Sequence, residues 1–356
     1  MTVLLTGATG FLGMEVLVRL LEEQPDSEII ALVRARDREG AAARVDTVLA
    51  QLYDNPPPGA AARIRALPGD VSTEGLGLSA ADRRVLIDET TSIVHCAASI
   101  SFDLPLEESR TINTEGTKRL LALAGELADL RRMVHVSTAY VGGRHRGTFG
   151  EDDLDVGQEF RNSYEQSKFE AELEVMASDL PLVIARPSIV VGDRHSGWTP
   201  AFNVIYWPLR AFARGMLDEV PANPDGVIDV VPVDYVADAL IHLLRHSEPT
   251  GAINLVAGRQ AVTNAHLIGL ACRALGRPAP RINNDAAMIE EASAYLPYFD
   301  VATRFDDRRA RSVLEPAGIA TDELEAYFPA IIDYAQRARW GKTPLTREGA
   351  QLARTT

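Results

Sequence analysis

Tyr164 and Lys168 stand four residues apart in the string Asn162-Ser-Tyr-Glu-Gln-Ser-Lys168, and Ser137-Thr138-Ala139-Tyr140 lies upstream. On a helix, positions i and i+4 share a face, so the Lys168 ammonium can stand beside the Tyr164 phenol. A free tyrosine titrates near pH ~10, and a neighbouring cation lowers that value by favouring the phenolate. The spacing therefore predicts a Tyr164 hydroxyl drawn toward neutrality and able to exchange a proton with a substrate. Thr138 would hydrogen-bond the same substrate oxygen and steady the charge that develops on it. The chemistry is proton delivery to a carbonyl undergoing reduction. Tyr-x-x-x-Lys also arises on ordinary amphipathic helices, so the elements around the pair must decide between the two.

Such chemistry needs a hydride donor, and the chain opens with a place to hold one. Thr6-Gly7-Ala8-Thr9-Gly10-Phe11-Leu12-Gly13 follows an apolar run, Val3-Leu4-Leu5, and leads into a helical pattern. Glycines three apart permit a tight turn, close backbone approach to a pyrophosphate and close helix–strand packing. The strand–turn–helix context is the one a dinucleotide turn requires. About twenty residues beyond the last glycine, where an acidic residue would grip the ribose hydroxyls of NAD, this chain carries Arg34 and Arg36, with Arg44 further on. Guanidinium groups match a 2′-phosphate, which points to NADPH. A solvated basic loop is the alternative, since Asp37 and Glu39 dilute the charge. Asp70, in Gly69-Asp70-Val71, ends a third apolar run and is placed to accept from the adenine amino group.

The first half alternates short apolar runs with longer helical patterns. Strands are expected at Val3–Leu5, Glu28–Val33, Ile64–Leu67, Ser92–His95, Met133–Val136 and Leu182–Ala185, with helices near 11–23, 39–53, 79–88, 107–128 and 162–178. Unalternating Val/Ile/Leu strands separated by helices indicate an α/β, doubly wound parallel sheet covered on both faces. The rhythm changes near residue 190. The domain reading is residues 1–190 for the cofactor half, completed by segments around 227–258, a smaller interleaved substrate lobe over 191–320, and a C-terminal helix and tail over 321–356. The tail reads as a helix, Glu323–Arg339, followed by a polar end with the composition of a disordered segment. The aromatic run Phe202–Phe212 is either the wall of a substrate channel or plain lobe core.

Composition narrows the function classes. The 356 residues are 46% hydrophobic and 24% charged, with a formal net charge of −14. That charge argues against non-specific nucleic-acid binding, which needs a basic face. Cys96 and Cys272 are the only cysteines, far apart and without metal-ligand spacing, so neither a disulfide framework nor a metal site is expected. No apolar run approaches the ~18–20 residues of a membrane span, and no removable apolar leader precedes the first strand. A reducing cytoplasm fits this picture.

Together the motifs resemble the extended short-chain dehydrogenase/reductase superfamily across roughly residues 3–260. The resemblance rests on Gly7/Gly10/Gly13, Asp70-Val71, His95-Cys-Ala-Ala98, Asn113-x-x-Gly-Thr117, Ser137-Thr138-Ala139, Tyr164-x-x-x-Lys168 and Arg186-Pro187-Ser188. Finer strings look like its thioester reductase and fatty acyl-CoA reductase branch: His95 to Asp103, Val136 to Val141, Arg186 to Val190, Gly197-Trp198, Asp229 to Asp234, and Leu296-Pro-Tyr298 with Phe305-Asp306. The resemblance implies a Rossmann-type fold and a catalytic triad of Thr138, Tyr164 and Lys168. It makes Asn113 a fourth member, supporting a helix bend and a water path to the lysine. It implies NADPH held by Thr6, Gly7, Thr9, Gly10, Phe11, Leu12, Gly13, Asp70, Val71, Ala97, Ala98, Tyr164, Lys168, Pro187, Ser188 and Val190, besides the three arginines. Lys168 would then hold the nicotinamide ribose as well as tune Tyr164. His95 reads as a packed core residue.

The activity implied is reduction of an acyl thioester, on coenzyme A or a carrier protein, to an aldehyde, and whether a second hydride carries it on to an alcohol is left open by the sequence. The rival within the superfamily is a dehydrogenase or epimerase acting on a sugar, steroid or other small ketone or alcohol. A non-enzymatic cofactor-binding scaffold is the third reading. Arg144, His145 and Arg146, in a glycine-flanked loop, are either contacts for the phosphates of a thioester carrier or a solvated charged loop.

Overall fold

The computed structural model describes residues 1–283 and 297–355. Strands follow in chain order as β1 (Thr2–Thr6), β2 (Glu28–Val33), β3 (Ile64–Pro68), β4 (Ser92–His95), β5 (Arg132–Val136), β6 (Gly147–Phe149), β7 (Leu182–Pro187) and β8 (Ile189–Val191). They continue as β9 (Glu219–Val220), β10 (Val227–Ile228), β11 (Val230–Pro232), β12 (Gly251–Leu255), β13 (Val262–Thr263), β14 (Arg281–Ile282) and β15 (Thr303–Phe305). Helices are α1 (Phe11–Glu22), α2 (Arg38–Leu52), α3 (Ala80–Glu89), α4 (Leu106–Ala124), α5 (Ser163–Met176), α6 (Tyr206–Ala213), α7 (Val233–Arg245), α8 (Asn264–Leu275), α9 (Arg308–Leu314), α10 (Leu324–Arg337) and α11 (Arg347–Thr355).

Seven strands build one parallel sheet in the order β12-β7-β5-β4-β1-β2-β3. Its residues alternate between two apolar layers, because successive strand side chains point to opposite faces. Val3, Leu5, Ile29 and Ala31 pack toward α1, α2 and α7. Leu4, Ile30, Ile93 and Met133 pack toward α3 and α4. The strand order reverses between β1 and β4, and the carboxyl ends on either side of such a reversal form the crevice where doubly wound sheets bind ligands. The expected Rossmann-type sheet is therefore present, with all six expected strands in it.

The smaller lobe is made of two-stranded pairs, β6 with β15, β8 with β11, β9 with β14 and β10 with β13. They surround an apolar cluster that includes Tyr140, Phe149, Leu209, Phe212, Tyr298, Phe305 and Phe328. Of the 227–258 segments expected to complete the main sheet, only β12 does so. β10 and β11 pair with β13 and β8 instead, Val230 to Pro232 running parallel to Ile189 to Val191 just past the end of β7. The aromatic run 202–212 is lobe core: Phe202 meets Tyr206 and Tyr334 ring to ring, and Leu209 and Phe212 are buried. Leu296, quoted for the branch resemblance, lies outside the described residues.

The polar end is not a loose tail. Residues 347–355 form α11, and buried Arg347 donates from Nε to the fully buried Glu15 carboxylate of α1 at 2.8 Å. Arg19, one turn along α1, pairs with the same carboxylate and reaches Asp238 of α7 at 2.9 Å. Burial, with a smaller push from Asp193, moves the Glu15 carboxyl upward, and the two guanidinium groups oppose it. Thr346 donates to the Asp54 side chain, and Glu348 accepts from the Asp54 and Asn55 backbone, so the segment is fastened at both sides.

Candidate active site

The glycine turn is shaped by backbone contact. Gly7 has φ +74°, and a Cβ there would lie 2.7 Å from the Ala97 backbone nitrogen. A Cβ on Gly13 would lie 2.1 Å from the Gly7 carbonyl oxygen, so α1 can sit this close to the turn only with glycine at that position. The Thr6 hydroxyl accepts from Ala97 N–H at 3.2 Å and lies 2.7 Å from His95 Nδ1, which ties the turn to the end of β4. Gly10 caps α1 without a side-chain bond and no acid occupies the first turn. Helices α2, α3, α5 and α8 are instead capped by Asp37, Ser79, Asn162 and Thr263 side chains. The free N–H groups and positive end of α1 thus face the crevice, which is the environment a pyrophosphate needs.

Arg34, Arg36 and Arg44 are exposed at the end of β2 and along α2. Arg44 donates to the Arg34 carbonyl at 2.9 Å and approaches the Thr9 hydroxyl at 3.4 Å, so it joins the arginine segment to the turn. Asp70 Oδ1 accepts from Ser72 N–H at 2.8 Å and Ser72 Oγ at 2.7 Å, shaping the bend after β3. Val71 is buried against Gly116 of α4, where a Cβ would come within 3.2 Å of it. Phe11 and Leu12 are half-buried at the start of α1, with Phe11 edge-on to Trp198 at 6.1 Å. Ala97 and Ala98 are half-buried in the loop after β4, and Val190 is half-buried in β8.

Tyr164 and Lys168 face the same crevice from α5. The helix starts cleanly because the Asn162 side chain accepts from Glu165 N–H at 3.0 Å. It is held to the sheet by Glu172, which takes Arg186 Nη2 of β7 at 2.7 Å in a fully buried pair. It is held to α4 by Thr114, which donates to the Ser167 carbonyl at 3.0 Å, and by Asn113, which donates to Ser167 Oγ at 2.9 Å. Asn113 also accepts from Ser99 N–H at 2.8 Å and donates to the Ser99 carbonyl at 3.1 Å. Its side chain thereby braces the loop after β4 against the helix that carries Tyr164.

Thr138 and Tyr164 are hydrogen-bonded hydroxyls, a contact that opposes the upward pull of burial on the phenol. Thr138 Oγ1 also donates to the Pro187 carbonyl at 3.3 Å, which brings the end of β7 into the site. Ser188, next along, is buried beside Asp229. The expected downward shift of Tyr164 is not found. Burial pushes its pKa up to about 12, and Lys168 is turned from the phenol to donate from Nζ to the Val136 carbonyl at 2.8 Å. Burial lowers Lys168 to about 8, with Glu172 pulling the other way. Spacing put the two side chains on one face; it carried no information about how dry that face is.

Sequence reasoning missed the wall opposite Thr138. Phe102 is tilted on the Tyr164 ring at 5.8 Å and stacks on Tyr298 at 5.0 Å. Tyr298 meets Tyr140 edge-on at 5.0 Å, and Tyr140 meets Phe305 at 5.4 Å. The Tyr298 hydroxyl accepts from Asn162 Nδ2 at 3.0 Å and bonds Glu165, whose carboxylate pairs with Arg161 at 3.3 Å. Phe102, Tyr298 and Phe305 lie inside strings quoted for the resemblance, which was the available signal. Arg144 and Arg146 are exposed on the loop into β6, as is Arg304 on the paired strand β15. Among the described residues, no cluster of His, Cys, Asp or Glu could hold a metal ion, and no helix is long and apolar enough to cross a membrane.

Comparison with known proteins gives this geometry a context. A family model described as male sterility protein matches residues 5–240. The chain is 30% identical to Fatty acyl-CoA reductase wat of Drosophila melanogaster over 274 residues, 67% of this chain and 53% of that protein. It is 30% identical to Fatty acyl-CoA reductase 1 of Homo sapiens over 271 residues, 66% and 53% respectively. It thus spans about half the length of the curated relatives it matches. Among solved structures, the terminal R domain from the myxalamid PKS-NRPS biosynthetic pathway superposes with a TM-score of 0.83 at 26% identity, over 97% of this chain and 92% of that one. UDP-glucuronic acid 4-epimerase from Bacillus cereus, in complex with NAD, superposes with a TM-score of 0.70 at 18% identity, over 96% and 99%, and shares the fold.

Proposed function

The chain belongs to the male sterility protein family, and from that premise we propose that it is an NADPH-dependent reductase of acyl thioesters. The observation that carries the reading is the hydrogen-bonded Thr138–Tyr164 pair at the mouth of the dinucleotide crevice, with Lys168 behind it on the same helix. The thioester comes from the relatives, which are named as fatty acyl-CoA reductases.

The residues present fit the cofactor. The uncapped α1 and Gly7, Gly10 and Gly13 would hold the pyrophosphate. Thr9 lies at the same turn, and Arg34, Arg36 and Arg44 would take the 2′-phosphate. Asp70 and Val71 would flank the adenine, and Ala97, Ala98, Pro187, Ser188 and Val190 would line the nicotinamide end. When bound, NADPH supplies a hydride to the thioester carbon. Thr138 and Tyr164 then hydrogen-bond the carbonyl oxygen as it gains charge, and Tyr164 gives it the phenolic proton. The resulting hemithioacetal breaks its carbon–sulfur bond, releasing a thiol and an aldehyde. Lys168, which would also hold the ribose, restores the proton to Tyr164. The phenyl rings of Phe102, Tyr298 and Phe305 shield the reacting carbon from water and offer apolar surface to an acyl chain.

The test follows NADPH oxidation and free thiol together, with acyl-CoA substrates of several chain lengths. One thiol per NADPH is expected where the aldehyde is released and one per two NADPH where it is reduced again to the alcohol, and Tyr164→Phe should remove most turnover while leaving NADPH affinity unchanged. NADPH loss without thiol would move the substrate to a ketone or aldehyde. Retained activity in Tyr164→Phe would overturn the mechanism.

A further inference from the structure

Beneath Lys168 lies a polar row on one face of the central sheet that the reduction step does not use. Thr6 of β1 pairs in register with His95 of β4, and His95 with His135 of β5. Ser137, two residues after His135 and still bonded through its N–H to the Ala185 carbonyl, projects to the same side. All four are buried. The His95 and His135 rings are 5.3 Å apart, and His95 reaches Thr6 Oγ1 at 2.7 Å and Thr117 Oγ1 at 3.4 Å.

His135 and Ser137 differ from these neighbours. Both ring nitrogens of His135 and the Ser137 hydroxyl are enclosed and find no hydrogen-bond partner in the protein. A buried polar group left that way is destabilising, and an apolar residue would serve a central strand better. Internal water is what satisfies buried polar atoms of this kind, so a hydrated chamber beside these three is part of the inference. Val136 stands between the two residues, and its carbonyl is the atom that receives the Lys168 ammonium. The lysine charge acts on both imidazoles, which burial and that charge keep neutral. A neutral imidazole offers one donor and one acceptor, so it can hold a water that both gives and takes a proton.

Asn113, the residue that the resemblance ties to a water path, is itself bonded to its neighbours. The Asn113 amide donates to Ser99 and Ser167, and its backbone carbonyl accepts from the Thr117 hydroxyl at 2.6 Å. We propose that His135 and Ser137 hold an internal water chain that returns protons to Lys168, making His135 a positioning residue for proton supply. This rests on the reductase reading above. Each hydride delivered to a carbonyl carbon is matched by one proton: the Tyr164 O–H bond breaks toward the substrate oxygen, a Lys168 N–H restores the phenol, and chamber water restores the ammonium. The net proton comes from solvent, and no other reactant is required. Glu172 and Cys96 are the groups that act on the lysine, besides the two imidazoles it acts upon.

The experiment compares His135→Phe, which keeps a flat ring without nitrogens, with His135→Gln, which keeps a donor and an acceptor. His135→Phe should lower kcat on the order of ten-fold and raise the solvent isotope effect on kcat, with NADPH affinity and Tm near wild type. His135→Gln should recover part of the loss. Wild-type kcat and isotope effect in His135→Phe would overturn the proposal. So would equal losses in both variants with an unchanged isotope effect, which mark a packing residue. A high-resolution crystal structure reads the chamber independently of activity: ordered water bonded to His135 and Ser137 supports it, and none there overturns it even if the reductase reading holds. A wild-type enzyme that fails on every thioester, with that water in place, would instead sink the reductase reading and the relay's role while leaving the water site standing.

Discussion

The two walls of the crevice are built on opposite principles. The cofactor wall is a short contiguous stretch in which backbone does the recognition: one turn, one helix end and two glycines, Gly7 and Gly13, with no room for a Cβ. The substrate wall is a set of side chains brought from four distant places, Phe102, Tyr140, Tyr298 and Phe305, that touch ring to ring. Backbone recognition is unforgiving because every atom is structural. Side-chain recognition is tunable, because one ring can be exchanged while its neighbours repack. For the proposed reductase, that difference would hold one cofactor fixed while the acyl group varies.

The sharpest way to break the comparison is a single methyl group on the cofactor wall. Gly13→Ala places a Cβ against the Gly7 carbonyl and should weaken NADPH binding about 100-fold or more, read by fluorescence titration. Near-normal affinity would show that the turn yields after all.

The seam between the walls is tested by pH. Burial lowers Lys168 to about 8, so the ammonium that serves Tyr164 is present below that pH and lost above it. Turnover at saturating substrate should therefore fall roughly ten-fold per pH unit above about 8, and Lys168→Arg should move that limb upward. An alkaline limb at the ordinary lysine value would mean the site is wet.

Smaller effects come from exposed charge. Replacing Arg34 and Arg36 by Glu should reduce the NADPH-over-NADH ratio of kcat/KM by about ten-fold or more, with NADH turnover preserved. An unchanged ratio would leave Arg44 alone to read the 2′-phosphate. Least of all, Tyr298→Phe removes the hydroxyl shared by Asn162 and Glu165 and should cost about 0.5–1.5 kcal/mol, a few-fold in kcat/KM. A loss as large as that of Gly13→Ala would erase the contrast between the walls.

The same contrast explains what could be read before the fold was known. The turn and the Tyr164/Lys168 pair are legible because their residues lie within one turn of chain or on one helix face. The stack on Tyr164 is not, since Tyr298 reaches its Asn162 partner across 136 positions. The polar end looked disordered because its one decisive residue, Arg347, is charged, and its buried counter-ion belongs to the first helix. The sign of the Tyr164 shift was misjudged for a related reason. Sequence spacing names a neighbour, whereas burial is a property of the assembled site.

The Glu15–Arg347 contact also bears on how the protein is made. Glu15 is synthesised early, and its second counter-ion follows 332 positions later. Until then the carboxylate has Arg19 for company, and a buried acid so placed favours its protonated form. Domains generally fold as units, beginning from the amino terminus as the chain emerges. Here the first helix gains its full complement of charge only when α11 docks, so a chain cut before Arg347 should leave the buried Glu15 short of a counter-ion and the first helix less stable.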